Sequence, residues 1–117
     1  MKKYAKKYFQ LSTLSLIVIM FFFNCGSKNQ IDIPADALLV DVRTAVEYSL
    51  GNVPNSINIP LSQIESNIDK FKGQENIVLF CRSGNRSGQA IKLLEQHGIS
   101  NMINGGSWKN VKNSISH

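Results

Sequence analysis

The sequence predicts an α/β fold in which a parallel β-sheet carries helices on both of its faces. Two short apolar runs, residues 38–42 and 77–80, have the length and composition of buried parallel strands. Apolar residues at helical spacing follow each run, so strands alternate with helices along the chain. The 117 residues suffice for one domain. The carboxyl ends of the strands are then the expected place for a functional site.

Between the two apolar runs, the pattern predicts two helices and a short strand. Residues 44–47, Thr-Ala-Val-Glu, form a capping-box pattern that starts a short helix, which ends by Gly51. Residues 56–59 alternate polar and apolar side chains and indicate a short strand. Residues 62–65, Ser-Gln-Ile-Glu, are a second capping box that opens another helix. The apolar positions of this second helix follow the helical period: Leu61, Ile64, Ile68 and Phe71.

Beyond the second apolar run, the sequence predicts a helix, a strand and a final helical stretch. Apolar residues recur at helical spacing from residue 87 onward, and Gly98 stands where a helix C-cap glycine belongs. Residues 101–103 indicate one more short strand. Gly105 and Gly106 then predict a turn into a weakly patterned last helix.

Cys81 follows the second apolar run directly and begins a tight loop that leads into a helix N-terminus. Unpaired N–H groups at a helix N-terminus carry partial positive charge, and Arg82 and Arg86 add two permanent charges. Such surroundings favour the thiolate, and an exposed thiolate is a nucleophile. Free cysteine is often a simple core residue, but a core needs none of the charged and small residues around this sulfur. We therefore predict that Cys81 attacks an anionic substrate held by the N–H groups of the loop.

Residues 81–87, Cys-Arg-Ser-Gly-Asn-Arg-Ser, resemble the active-site loop of the rhodanese-like sulfurtransferases. Residues 41–48, Asp-Val-Arg-Thr-Ala-Val-Glu-Tyr, and residues 51–61, which contain Val-Pro-Asn-Ser-Ile-Asn-Ile-Pro, resemble further signatures of that family. Residues 104–106, Asn-Gly-Gly, resemble its closing turn. The resemblance covers nearly all of residues 37–112 and implies a rhodanese-like fold. In its length the domain is similar to exported single-domain members of the phage-shock-protein-E type.

The resemblance implies a sulfurtransferase reaction centred on Cys81 as the catalytic residue. The thiolate would take the outer sulfur of a small anionic donor such as thiosulfate, hold it as a persulfide, and pass it to cyanide or a thiol acceptor. Asp41 and Arg43 are expected to form an ion pair that supports the loop. Arg86 would either tie the loop together or bond the substrate. The implied substrate-binding residues are those of the loop: Arg82, Ser83, Gly84, Asn85, Arg86 and Ser87.

Two other functions stay open from the sequence alone. Rhodanese-like domains also serve as sulfur carriers or binding modules without thiosulfate turnover, although binding modules usually lack the cysteine that Cys81 provides. A Cys-dependent phosphatase or arsenate reductase is the weaker enzymatic alternative, because phosphate-handling relatives have a longer loop than the four residues between Cys81 and Arg86. The resemblance implies no cofactor, and no His/Cys cluster has metal-ligand spacing.

Residues 1–24 have the pattern of a signal peptide: a basic start, with four lysines, followed by a mostly apolar run. Cys25 directly follows and resembles the lipidation site of bacterial lipoproteins; an uncleaved signal anchor or cleavage after Ser27 are the alternatives. We expect residues 25–36 to be the lipid-attachment cysteine and a linker, and residues 37–117 to be the domain. The expected protein is an exported monomer, anchored by its N-terminal lipid to the bacterial cell envelope. From Cys25 onward, nine basic residues stand against eight acidic ones, so we expect no nucleic-acid partner.

Overall fold

The computed structural model describes residues 30–116, and this part of the chain alternates strands with helices. Two consecutive 3-10 helices follow the second strand, at Leu61–Gln63 and Glu65–Lys70. The remaining elements, in chain order, are β1 Leu38–Asp41, α1 Ala45–Leu50, β2 Ile57–Asn58, β3 Ile77–Cys81, α2 Asn85–Gln96, β4 Met102–Ser107 and α3 Trp108–Ile115.

The four strands form one sheet in the order β2-β1-β3-β4, and every neighbouring pair is parallel. The predicted parallel α/β sheet is therefore confirmed. Strand β3 lies at the centre, and all five of its residues are buried. A strand that is covered on both faces has no solvent side, which is why its sequence reads as one continuous apolar run.

Each face of the sheet has its own hydrophobic core, as the prediction of helices on both faces requires. Helix α2 and the 3-10 segment cover one face, and helix α3 covers the other. The first core consists of Val40, Val42, Ile59, Ile64, Phe71, Ile77, Leu79, Ala90 and Leu94, together with Cys81. The second core consists of Leu39, Val53, Val78, Phe80 and Val111.

The helix predicted from the second capping box is wrong in type, because the chain forms two 3-10 helices there. Asn67 has non-helical dihedral angles, φ −122° and ψ 20°, and interrupts the second of them. Its side chain donates to the carbonyl oxygen of Gln63 at 2.8 Å, and the Ser66 hydroxyl donates to the same oxygen at 3.0 Å. Such local side-chain bonds compete with the α-helical ladder. Ile64 and Phe71, two apolar positions of the predicted pattern, are nevertheless buried.

Helix α1 begins where the first capping box predicts, although only one half of the box forms. The Thr44 hydroxyl oxygen accepts a hydrogen bond from the Glu47 N–H at 3.3 Å. The Glu47 carboxylate, which would complete the box, bonds Arg86 instead.

The end of helix α2 confirms the predicted C-cap glycine. Gly98 has φ +78°, its N–H donates to the Glu95 carbonyl, and the Ile99 N–H donates to the Leu94 carbonyl. These two bonds form a Schellman motif, which satisfies the last carbonyls of the helix.

The glycine pair near the end of the chain was predicted as a turn, but strand β4 runs straight through it. The pairing register of β3 and β4 shifts there, so that Leu79 faces Asn104 and Phe80 faces Gly106, leaving Gly105 as the extra residue of a bulge. A Cβ on Gly105 would lie 2.7 Å from Val111 Cγ2. Only a glycine therefore lets helix α3 pack this closely on the sheet.

The N-terminal predictions fall largely outside the described residues. Residues 1–24 and Cys25 lie outside them, and the linker is described only from Gln30 onward. In that part the Ile31 N–H donates to the Ser114 hydroxyl at 3.3 Å, and Ile33 packs against the second core. The described end of the linker thus packs on the domain. Within residues 30–116, no helix is long and apolar enough to span a membrane.

Candidate active site

Cys81 is the last residue of the central strand β3, and the chain turns from it into helix α2 within three residues. Gly84 is the N-cap of that helix and has φ +97°, a conformation that residues with a side chain rarely adopt. A Cβ at this position would also lie 3.3 Å from the Gly106 backbone. The loop can therefore wrap closely around the sulfur only because its third residue after Cys81 is glycine.

The Cys81 thiol lies under this loop, with only 1% of the residue exposed. The sequence-based expectation of an exposed thiolate is thus wrong, because the loop closes over the sulfur. The Gly84 N–H donates to Sγ at 3.0 Å, and the Ser87 hydroxyl lies 3.6 Å from it. Burial by itself disfavours the charged form. Hydrogen bonds to the sulfur outweigh this effect, and their donors are the Ser87 and Ser83 N–H groups, the Ser87 hydroxyl and the Gly84 N–H. Together they lower the pKa of Cys81 to about 7.

Asn104, from strand β4, bonds both the loop and the first turn of helix α2. Its carbonyl oxygen Oδ1 accepts from the Ser87 hydroxyl at 2.7 Å and from the Gly106 N–H at 3.0 Å. Its Nδ2 group donates to the Gly84 carbonyl at 3.0 Å. Because a hydroxyl has one hydrogen, Ser87 donates either to Asn104 or to the Cys81 thiolate. The sequence indicated Asn104 only as part of the closing turn, and its role in the loop was missed.

Arg86, at the start of helix α2, forms a bidentate ion pair with Glu47. Its two terminal nitrogens donate to the two Glu47 carboxylate oxygens of helix α1 at 3.0 and 2.9 Å. The hydrogen bond from Arg86 holds the pKa of Glu47 below its usual range, and the hydrogen bond to Glu47 raises the pKa of Arg86. Of the two roles that the sequence left open for Arg86, the structure shows the contact that ties the loop in place. Glu47 was read only as a helix cap.

The other loop residues present different groups to the site. Arg82 and Ser83 are exposed. The Arg82 side chain lines a cleft beside the loop, and Ser83 directs its backbone N–H at the Cys81 sulfur. The Asn85 side chain accepts a hydrogen bond from Gln89 at 3.0 Å, on the exposed side of helix α2. The predicted binding residues therefore contribute mainly backbone groups, with Arg82 and Ser87 contributing side chains.

Asp41 and Arg43 form a buried bidentate ion pair at the end of strand β1. Arg43 Nη2 lies 2.7 Å from Asp41 Oδ2 and also donates to the Gly51 carbonyl at 2.7 Å. The guanidinium carbon lies 4.5 Å from the ring centre of Trp108. The pair thus holds Gly51 and Trp108 in position, and both of these line the cleft next to Arg82.

That cleft has a volume of about 520 Å³ and opens beside the loop that follows Cys81. Its walls come from helix α1, the loop and the start of helix α3, where Trp108 and Lys109 stand. Neither residue was predicted from the sequence to belong to the site. Both follow the end of β4, and Ser107 of that strand lies opposite Cys81 in the sheet. Within the described part of the chain, no group of three or more His, Cys, Asp or Glu side chains could hold a metal ion.

Comparison with known proteins gives consistent matches over this region. The model of the rhodanese-like domain matches residues 27–114. A sulfurtransferase of Allochromatium vinosum is 36% identical over 69 residues, which cover 59% of this chain and 64% of that protein. The thiosulfate sulfurtransferase PspE of Escherichia coli is 31% identical over 74 residues, which cover 62% of this chain and 71% of that protein.

Solved structures match in the same way. A structure described as a rhodanese with anions from E. coli superimposes with a TM-score of 0.57 at 30% identity, covering 63% of this chain and 89% of that one.

The chain spans less than two thirds of the length of the Allochromatium vinosum relative, at 64%.

Proposed function

The chain belongs to the rhodanese-like domain family, and from this membership we propose that it is a thiosulfate sulfurtransferase acting through a persulfide on Cys81. Its fold is the rhodanese-like fold that the sequence predicted. The observation that carries the proposal is the environment of the Cys81 sulfur, which favours its thiolate form. The sulfur accepts the Gly84 N–H at 3.0 Å, and its pKa of about 7 makes about half of it thiolate at neutral pH.

In the first half-reaction, the Cys81 thiolate attacks the outer sulfur of thiosulfate. A new S–S bond forms, the bond between the outer sulfur and the sulfonate sulfur breaks, and sulfite leaves with the electron pair. Negative charge moves to the terminal sulfur of the persulfide, and we expect the loop N–H groups that donate to Sγ to stabilise this charge as well. Because these donors are already oriented by the loop, they stabilise that charge without reorganisation.

In the second half-reaction, a nucleophile removes the outer sulfur. Cyanide or a thiolate attacks it, the S–S bond breaks, and the electron pair returns to Cys81 as thiolate. The low pKa of Cys81 makes it a good leaving group in this step. The same hydrogen bonds thus assist both the attack and the departure of the sulfur.

The charges around the loop support the choice of an anionic donor. Arg82 is exposed at the mouth and attracts anions, whereas Arg86 is neutralised by Glu47 and keeps the loop closed. Only four residues separate Cys81 from Arg86, and this short loop encloses a sulfur atom more closely than a tetrahedral phosphate. The geometry therefore favours sulfur transfer over phosphate chemistry.

The deciding experiment is a thiosulfate-to-cyanide assay on the purified chain, with Cys81→Ala and Cys25→Ala as a matched pair. We expect thiocyanate from the wild type and from Cys25→Ala, and none from Cys81→Ala. Intact mass after thiosulfate treatment should show one added sulfur atom that cyanide removes. A folded wild type that makes no thiocyanate and gains no sulfur would overturn the proposal, and turnover of an aryl phosphate would then favour a phosphatase.

For location, we propose that the protein is exported as a monomer and anchored to the cell envelope by a lipid on Cys25. The basic start, the apolar run and the position of Cys25 support this. Membrane fractionation should find the wild type in the membrane and a Cys25→Ser variant outside it. Equal partition of the two would contradict the anchor, and sedimentation of the released domain measures its oligomeric state.

A further inference from the structure

The side-chain amide of Asn104 has only one orientation that satisfies its neighbours. Its oxygen Oδ1 accepts the Gly106 N–H at 3.0 Å, and its nitrogen Nδ2 donates to the Gly84 carbonyl oxygen at 3.0 Å. A backbone N–H can only donate and a carbonyl oxygen can only accept, so exchanging the two amide atoms would break both bonds. The amide oxygen is therefore fixed as the atom that accepts from the Ser87 hydroxyl, 2.7 Å away.

The Ser87 hydroxyl lies between two acceptors, the Asn104 oxygen and the Cys81 sulfur, which is 3.6 Å away. Each acceptor keeps a backbone donor when the hydroxyl turns to the other. The Gly106 N–H bonds the Asn104 oxygen, and the Gly84 N–H bonds the sulfur at 3.0 Å. Ser87 itself is fully buried, so a hydroxyl that lost both acceptors would find no water to replace them. The hydroxyl hydrogen is thus the one part of this network that can move at little cost.

The charge on Cys81 Sγ changes twice in the proposed reaction. As a thiolate, Sγ is a charged acceptor and forms strong hydrogen bonds. In the persulfide, Sγ is bonded to the outer sulfur and the negative charge lies on that outer atom. A neutral sulfur is a weak acceptor, so the amide oxygen of Asn104 is then the better partner for the hydroxyl.

We propose that Asn104 is a positioning residue that controls the Ser87 hydroxyl, holding it while Cys81 carries the transferred sulfur and releasing it to Sγ when Cys81 becomes a thiolate. The proposal rests on the sulfurtransferase function proposed above, and it assigns a part in turnover to a residue of strand β4. Asn104 gives the buried hydroxyl an acceptor in the half of the cycle in which Sγ is a poor one. By competing for the hydroxyl, it also limits how strongly the thiolate is stabilised.

This competition does not involve the charged groups around the loop. The charged side chains at this end of the sheet are Asp41, Arg43, Glu47, Arg82, Arg86 and Lys109. Asp41 is paired with Arg43, and Glu47 is paired with Arg86. Replacing Asn104 by an uncharged residue adds no charge to this set. A change in the pKa of Cys81 in such a variant would therefore report a change in hydrogen bonding.

The test is a double-mutant cycle on the full chain, in which the pH dependence of alkylation gives the pKa of Cys81. Asn104→Leu keeps a side chain of similar size over the buried hydroxyl but accepts no hydrogen bond, and it is made both alone and together with Ser87→Ala. Asn104→Asp is the second variant, because a carboxylate retains the acceptor. Asn76→Ala is the control, since it removes an amide at the opposite end of strand β3.

We expect Asn104→Leu to lower the pKa of Cys81 by about half a unit, because the released hydroxyl then donates to the thiolate. In Ser87→Ala the same substitution should not lower the pKa, since no hydroxyl is present to be released. The measured quantity is the difference between the two backgrounds, in which a general loosening of the loop cancels. Asn76→Ala should leave the pKa unchanged.

Asn104→Asp should couple to Ser87 with the opposite sign. Its carboxylate raises the pKa of Cys81 by its charge in both backgrounds. Where Ser87 is present, the pKa should rise further, because the carboxylate also holds the hydroxyl more strongly than the amide does.

The part that Asn104 plays in turnover is tested by the equilibrium of sulfur loading. Cys81 thiolate and thiosulfate are in equilibrium with the Cys81 persulfide and sulfite, and at about pH 10 Cys81 is ionised in every variant, so no proton is exchanged. At fixed thiosulfate and sulfite, Asn104→Leu should lower the ratio of persulfide to free enzyme at least about threefold, the equivalent of half a pKa unit. Ser87→Ala should remove this effect. Intact mass measures the ratio.

Equal effects of Asn104→Leu on the pKa in the two backgrounds would overturn the proposal and leave Asn104 a structural part of the loop. A coupling of Asn104→Asp with the same sign as that of Asn104→Leu would overturn it as well, and an unchanged loading ratio would remove the part in turnover. Failure of the underlying function looks different. The wild type would then never acquire sulfur from thiosulfate, although alkylation would still give the pKa of Cys81.

Discussion

Replacing Ser87 by alanine tests how the buried Cys81 sulfur is kept ionised. The Ser87 hydroxyl lies 3.6 Å from Sγ and shares its single hydrogen with Asn104, to which it donates at 2.7 Å. The Gly84, Ser83 and Ser87 N–H groups remain in the variant, so only the side-chain part of the stabilisation is lost.

The size of the effect follows from these contacts. A hydrogen bond to a charged group contributes about 1.5–3 kcal/mol, and the long, shared bond here should lie at the lower end. Since one pKa unit is about 1.4 kcal/mol, the pKa of Cys81 should rise by about one unit from its value of about 7. At pH 7 the thiolate fraction then falls from about one half to about one tenth, so the rate of attack falls about fivefold, and it recovers above about pH 9.

The assay is the rate of alkylation of Cys81 as a function of pH, supported by the ultraviolet absorbance of the thiolate. Attack on thiosulfate should show the same shift in the acid limb of its pH profile. Ser83→Ala is the matched control for the pKa, because this exposed residue stabilises the sulfur through its backbone N–H, which alanine retains. A pKa that stays within a few tenths of a unit in Ser87→Ala would refute the role of the hydroxyl and leave the backbone donors alone.

Two further substitutions, with Gly88→Ala as the control for the second, test the contacts that shape the site. Glu47→Gln should slow persulfide formation several-fold, because the ion pair with Arg86 ties the loop in place. It should cost at most about 1 kcal/mol of unfolding free energy, because that pair is partly exposed. Stopped-flow kinetics measure the first effect, and denaturant unfolding measures the second. Gly105→Ala should destabilise the fold by about 1–3 kcal/mol, because the new methyl group would lie 2.7 Å from Val111 Cγ2. Gly88→Ala, within helix α2, should be neutral or stabilising by up to about 1 kcal/mol in the same unfolding assay.

Each of these has an outcome that would contradict it. Glu65→Gln removes an exposed carboxylate that forms no ion pair in the described part of the chain, and equal slowing in it and in Glu47→Gln would deny the Arg86 pair a specific role. An unfolding midpoint of Gly105→Ala that matches the wild type would show that helix α3 can move away from the sheet at no measurable cost.

The strand and loop around Cys81 could be predicted because their signals are local. A continuous apolar run, an abrupt change to small and basic residues, and a helical period place the cysteine at a strand end within about 20 residues. The C-cap glycine Gly98 was predictable for the same reason, since a positive φ is a property of one residue.

The errors arose where the same local signal is compatible with two backbones. The spacing of Leu61, Ile64, Ile68 and Phe71 suits an α-helix, but it also fits two 3-10 helices, in which Ile64 and Phe71 are buried and Leu61 and Ile68 are partly buried. Asn67 and its local hydrogen bonds decided between them. Gly105 and Gly106 have the composition of a turn. At Gly105, however, the missing side chain is needed because helix α3 packs closely on the sheet there.

The sequence by itself predicted the order of strands and helices, the candidate nucleophile Cys81 and the family, because the signals for each of these lie in consecutive residues. Only the tertiary structure decided which groups meet around the sulfur. Arg86 finds Glu47 across 39 positions and Ser87 finds Asn104 across 17, and no local pattern reports such a separation. The burial of the sulfur was also decided by the tertiary structure, since the loop whose hydrogen bonds lower the pKa of Cys81 also covers it. The cleft beside it exists because parallel strands bring helix α1, the loop and the start of helix α3 to one edge of the sheet.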